Sequence, residues 1–170
     1  CVNVTVSNNT IYGMTLSNPS NDSPLSYGIL AYGNSSSDMP HNVLIANNDI
    51  GYIAGSAISL GTYTSQFTIE GNHLHNIIPV EFSDNQLSVG VQAELAGTLN
   101  INSNHFENLI IGTNMLLSQG NIANNDYEDV TVFHNSTYPS YIVSDFGGSD
   151  WWQSFSTLSY LGNDIDFVSY

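Results

Sequence analysis

The chain has 170 residues, a length suited to one domain, and carries 15 Asp and Glu but no Lys or Arg, a formal net charge of -15. Without a basic side chain other than His, a nucleic-acid groove, an anionic membrane surface, and any site that holds phosphate or uronate through Arg or Lys are excluded. Apolar residues at 41% and aromatics at 11% oppose disorder, and no apolar run nears the roughly 18 residues of a membrane span.

Cys1 is the single cysteine, so no internal disulfide forms. The chain starts without Met or a signal peptide, which marks a processed protein or a fragment. A lipidated first cysteine is the lesser reading, because apolar alternation starts at Val2 with no linker. Sequons Asn-x-Ser/Thr stand at Asn3, Asn8, Asn21, Asn34 and Asn135, as in an extracellular glycoprotein.

From Val4 onward one pattern recurs six times. The copies align on Asn9, Asn48, Asn72, Asn104, Asn125 and Asn163, at intervals of 39, 24, 32, 21 and 38 residues. Three residues before each Asn stand Val6, Ile45, Ile69, Ile101, Ile122 and Tyr160. Two after it stand Ile11, Ile50, Leu74, Phe106, Tyr127 and Ile165, and five after it Met14, Ile53, Ile77, Leu109, Val130 and Val168. All eighteen are apolar or aromatic, and the spacing before the Asn is strand alternation. The Asn itself is expected at a bend, in the left-handed backbone region. A third apolar run follows most copies, at 27–31, 57–60, 87–91, 115–117 and 141–143. Each coil therefore reads as three short strands, with polar loops at 17–26, 33–41 and 79–86 and an aromatic loop at 147–155.

The motif V-x-I-x-x-N-x-I-x-x-I resembles the right-handed parallel β-helix repeat of the pectate-lyase-like superfamily. The expectation is an all-β solenoid of about six coils, three short strands per coil, forming one domain over 1–170. Coils stack about 4.8 Å apart, so like lies over like, and the six Asn are expected to form a buried amide ladder. The apolar columns supply a core that no single coil buries alone. The resemblance also implies enzymes on acidic polysaccharides. Lyases of that group use Lys or Arg, which this chain lacks. The hydrolases' Asn-Thr-Asp, Asp-Asp, Gly-His-Gly and Arg-Ile-Lys segments are absent too. No catalytic residue is assigned.

The same register sets two outward columns. One residue after the ladder Asn come Thr10, Asp49, His73, His105, Asp126 and Asp164; three after it come Tyr12, Gly51, His75, Glu107, Glu128 and Asp166. Neighbours lie about 5 Å apart along a column and about 7 Å across, so like charges repel. Asp126, Glu128, Asp164 and Asp166 fit Ca²⁺; His73, His75, His105 and Glu107 fit a transition metal. The alternative is a solvated polar face. Trp151, Trp152 and Phe155 are expected at an interface or stacked on sugar rings.

The repeat starts at residue 2 and runs to Val168, leaving no evident end cap. Exposed coil ends invite head-to-tail polymerisation. The expected function is a structural extracellular or cell-surface protein, a self-assembling subunit of a filament, sheath or surface layer whose partners are its own copies. No cofactor is required; Ca²⁺ at the acidic columns is an optional ligand. The alternative is a carbohydrate-binding adhesin module or degenerate polysaccharide-active enzyme.

Overall fold

The computed structural model describes residues 1–13, 26–34, 39–82, 85–137, 158–161 and 164–165. The first coil contributes β1 (Val2–Ser7), β2 (Thr10–Tyr12) and β3 (Ser26–Ala31). The second has β4 (His41–Ala46), β5 (Asp49–Gly51) and β6 (Gly55–Leu60). The third has β7 (Ser65–Glu70), β8 (His73–His75), β9 (Val80–Phe82), β10 (Asn85–Leu87) and β11 (Val89–Glu94). The fourth has β12 (Thr98–Asn102) and β13 (His105–Leu116), and the fifth β14 (Gln119–Ala123) and β15 (Asp126–Thr137). A sixth is represented by β16 (Leu158–Leu161) and β17 (Asp164–Ile165).

Two long sheets follow, each with only parallel neighbours. The first runs β1-β4-β7-β12-β14-β16. The second runs β2-β5-β8-β13-β11-β6-β3, with β15 beside β13 and β17 beside β15. This is a solenoid-like parallel β-helix. Its register is the one the repeat predicts. Val6, Ile45, Ile69, Ile101, Ile122 and Tyr160 pair in sequence down the first sheet. Ile11, Ile50, Leu74, Phe106, Tyr127 and Ile165 do so down the second. From Ile45 to Ile122 and from Ile50 to Tyr127, every member of these columns is fully buried. Burying such a side chain stabilises by about 1.5–3 kcal/mol, so these two columns supply much of the driving force for stacking.

Three details differ from the sequence reading. Among the described residues, the second and third strands are separate in the first three coils, and in the fourth and fifth they merge into β13 and β15. Those coils have no insertion at the intervening bend, where Asn108 and Asp129 take positive φ of 50° and 52°. Residues 79–86 are not simply a loop, since β9 and β10 pair antiparallel. Val80-Glu81-Phe82 is an alternation too short to stand out from its polar surroundings. The left-handed residue is also not the ladder Asn. It is the residue before it: Asn8, Asn47, Gly71, Ser103 and Asn124 have φ between 54° and 62°. The reason is geometric. The exposed residue makes the turn, which frees the next side chain to point inward and stack.

Asn48, Asn72, Asn104 and Asn125 are 1% exposed. Each carboxamide oxygen accepts two N–H groups from the previous coil. Asn104 Oδ1 accepts the Asn72 backbone N–H at 3.0 Å and Asn72 Nδ2 at 2.9 Å. Asn72 Nδ2 also donates back to the Ile45 carbonyl at 2.9 Å. One amide thus bridges three coils, and Asn9 joins the ladder through Asn48 Oδ1. Asn163 lies outside the described residues.

The inward column of the third strands runs Ile29, Ile58, Val91, Thr113, His134. Its last two members are polar, and Thr113 Oγ1 lies 2.8 Å from His134 Nδ1. Burial pushes the His134 imidazole down from 6.5 to about 4.

Asn72→Ala removes the acceptor for two Asn48 donors and leaves buried polar groups unpaired. Each such group costs about 1–3 kcal/mol, so the urea midpoint should fall by the equivalent of roughly 3–5 kcal/mol. Asn100→Ala, exposed in β12, should leave it unchanged. His134 gives a pH test. Its folded value lies below its unfolded value, so the unfolded chain binds the extra proton between about 4 and 6.5. Stability from this group is complete above that window and is lost as pH falls through it. His134→Gln should therefore shrink the difference in urea midpoint between pH 7 and pH 5.

Candidate functional site

The outward columns come together on β5, β8, β13 and β15. Pairing sets Asp49 beside His73, His73 beside His105, and His105 beside Asp126. Gly51 lies beside His75, His75 beside Glu107, and Glu107 beside Glu128. Stacking brings the three imidazoles into one file. The His73 and His75 ring centres are 4.3 Å apart and those of His73 and His105 are 4.9 Å apart.

Carboxylates flank this file. His73 Nδ1 is 3.3 Å from Asp49 Oδ1, and His73 Nε2 is 2.9 Å from Glu107 Oε2. His75 Nε2 lies 3.1 Å from the same Asp49 Oδ1. His105 Nδ1 is 2.6 Å from Asp126 Oδ2, while its Nε2 lies 3.8 Å from Glu107 Oε2 and 3.9 Å from Glu128 Oε2. Two groups of three hold ligand-type atoms close together: Asp49, His73 and His75, and His73, His105 and Glu107.

His75 is the buried member, with its side chain 9% exposed. Its ring lies over Gly51, where an added Cβ would sit 2.5 Å from His75 Cε1. Tyr12 and Tyr52 meet the ring edge-on, at 5.5 and 5.7 Å between centres. Asn76 Nδ2 is 2.8 Å from His75 Nδ1. The Tyr12 hydroxyl donates a short hydrogen bond to Asp49 Oδ2. Burial pushes the Asp49 carboxyl up, but the Tyr12 hydroxyl and the His75 and His73 rings outweigh it and hold it below its usual value. The same hydrogen bond, to an anion, pushes the Tyr12 hydroxyl up to about 12.

The columns therefore bring together His73, His75, His105 and Glu107, and join Asp126 and Glu128 to them through His105. Asp164 is placed by its backbone, paired with Asp126. Asp166 lies outside the described residues, as do Asn21, Trp151, Trp152 and Phe155. The sequon asparagines Asn3, Asn8, Asn34 and Asn135 are exposed. The sequence places Asp49 and Tyr12 in the outward columns without marking them as site residues, and Tyr52 and Asn76 stand outside those columns. Asp49 stands in the right column, but its coil has Gly51 at the second position, so the coil reads as empty. That gap was the usable signal: a missing side chain is what seats His75.

A groove of about 730 Å³ lies beside this ridge, lined in part by Tyr52, Asn76, Ile78, Asn108 and Asp129. Comparison with known protein families, curated proteins and solved structures finds no match to this chain.

Gly51→Ala keeps the backbone, since Gly51 is not among the positive-φ glycines, but evicts His75. We expect His75 to react several-fold faster with diethylpyrocarbonate, at an unchanged circular dichroism spectrum. An unchanged modification rate would mean that Gly51 does not seat the ring.

Proposed function

We propose that the chain is a structural, extracellular β-helix subunit that assembles with copies of itself into a filament, sheath or surface layer. The observation that carries this reading is the stacking of amides outside the core as well as within it. Asn42 Nδ2 donates to Asn3 Oδ1. Asn108 Nδ2 donates to Asn76 Oδ1. Asn135 donates to Asn114, which donates to Gln92. These contacts join one coil to the next without any residue specific to a given coil. A coil from a second copy can meet the same donors and acceptors, and such a contact is heterologous and open-ended.

Other features support the reading. A chain without Lys or Arg offers trypsin-like proteases no cleavage site, which suits a long-lived extracellular material. Exposed sequons fit a secreted glycoprotein. The stacked-Asn repeat supports a relationship to the pectate-lyase-like superfamily, but the missing Lys and Arg favour a member that is not an enzyme. A second reading, a glycan-binding module, rests on the groove beside Tyr52. Its neutral amides and aromatic edge suit a neutral sugar rather than an anionic one.

Electron microscopy with sedimentation analysis tests the first reading. Net charge -15 opposes assembly, and salt shortens the Debye length from about 30 Å at 0.01 M to about 8 Å at 0.15 M. We expect fibres or sheets that grow with ionic strength and loosen at low salt or in EDTA. Monodisperse particles at every salt concentration would overturn self-assembly, and glycan-array binding by those particles would favour the second reading.

A further inference from the structure

We propose that His73, His105 and Glu107 form a binding site for a divalent transition-metal ion, taken through the two Nε2 atoms and Oε2, with Glu128 Oε2 at its rim. Asn108 Nδ2 donates to Asn76 Oδ1 at 2.6 Å, which fixes the Asn76 amide. Asn76 Nδ2 then donates to His75 Nδ1. The His75 proton therefore sits on Nε2 and is donated to Asp49 Oδ1. Asp49, held on its other oxygen by Tyr12, also stands 3.3 Å from His73 Nδ1.

His73 Nε2 is hydrogen-bonded to Glu107 Oε2 at 2.9 Å, and a metal ion would take the place of the shared proton. His105 donates from Nδ1 to Asp126 at 2.6 Å. Its Nε2 lone pair faces Glu107 and Glu128 at 3.8 and 3.9 Å. Two imidazole nitrogens and two carboxylate oxygens converge, and strand register keeps them together. A cation placed there attracts all four.

The surrounding chemistry selects the ion. A ligating imidazole usually gives its other N–H to a carboxylate, which fixes the tautomer and strengthens the donor. Here Asp126 holds His105 in that way, and Asp49 stands 3.3 Å from the corresponding nitrogen of His73. Two imidazole nitrogens with carboxylate oxygen suit Zn²⁺ and its neighbours, whereas Ca²⁺ wants six to eight oxygens. The three ligand atoms lie within 4.8 Å of one another. Rotation of these partly exposed side chains brings them to bonds of about 2.0–2.2 Å and leaves room for water. The neighbouring group of Asp49, His73 and His75 fits less well, because Asn76 leaves the proton on the very nitrogen that would have to bind. The site needs only one copy of the chain, so it stands whether or not the protein assembles.

The test uses the full chain after EDTA treatment and dialysis. Co²⁺ should give visible absorption bands that saturate near one equivalent, Zn²⁺ should abolish them, and Zn²⁺ should raise the melting temperature by several degrees. His105→Gln and Glu107→Gln should each weaken binding more than tenfold. Asp126→Asn, which acts through His105, should weaken it about 10–100-fold. His75→Gln should bind with unchanged stoichiometry. Circular dichroism confirms that each variant is folded, and Glu107→Ala serves as the second variant if Gln supplies a substitute oxygen. Binding that survives His105→Gln but not His75→Gln puts the ion in the other group and overturns the assignment. A folded protein with no Co²⁺ bands and no Zn²⁺ heat also overturns it, as does heat with Ca²⁺ alone; a proton then occupies the space.

Discussion

Coil stacking imposes one constraint on everything else: a side chain in a parallel β-helix has its own equivalent directly above and below it, about 4.8 Å away. Three kinds of column respond differently. Apolar columns gain, since stacked Ile, Leu and Phe exclude water from each other. Amide columns also gain, because an amide carries donor and acceptor and can satisfy a copy of itself. Charged columns lose. Two carboxylates about 5 Å apart repel by about 3 kcal/mol at an effective dielectric near 20, and a surface ion pair returns about 1 kcal/mol or less.

The buried ladder shows why Asn fills the inner bend. The position needs a side chain that accepts from the coil before it, donates to the coil after it, and is uncharged at every pH. Asp fails on donation and charge. Ser has one proton and a shorter reach. Leu would leave the donors of the preceding coil unpaired. Gln carries the same amide on a longer stem, which would push it past its neighbour's carbonyl. The turn itself is delegated to the exposed residue before, where Asn, Gly and Ser all occur among the described coils. Chemistry is thus strict at the buried position and loose at the exposed one, although both lie in the same bend.

This division explains what the sequence made legible. Columns repeat, so eighteen apolar positions and the aligned Asn define the sheets and their register before any coordinate is seen. Features that depend on one coil differing from the next do not repeat, and they were missed. The merged strands β13 and β15 arise from insertions that are absent. The hairpin of β9 and β10 lies inside an insertion. The role of Asp49 depends on Gly51 having no side chain. Ring direction is invisible in a repeat as well: His75 and Glu107 occupy one column, yet His75 turns back over Gly51 while Glu107 reaches across to His73. The His75 tautomer is set further still from the motif, by a stacked amide pair at Asn76 and Asn108.

The absence of Lys and Arg acquires a structural meaning from this arrangement. In the outward column Asp49, His73, His105 and Asp126, two His separate two acids. The neighbouring column has Gly, His, Glu and Glu, and its two acids reach toward the His file. His is the one side chain here that can act as donor, acceptor or cation, so it can stand beside a carboxylate on either face. Lys or Arg would serve as donors only and would hold their charge whatever their neighbours did. A file of imidazoles instead adapts to its surroundings, since each ring nitrogen can donate or accept. The residues that the sequence lacks are therefore those that would have neutralised the ridge permanently.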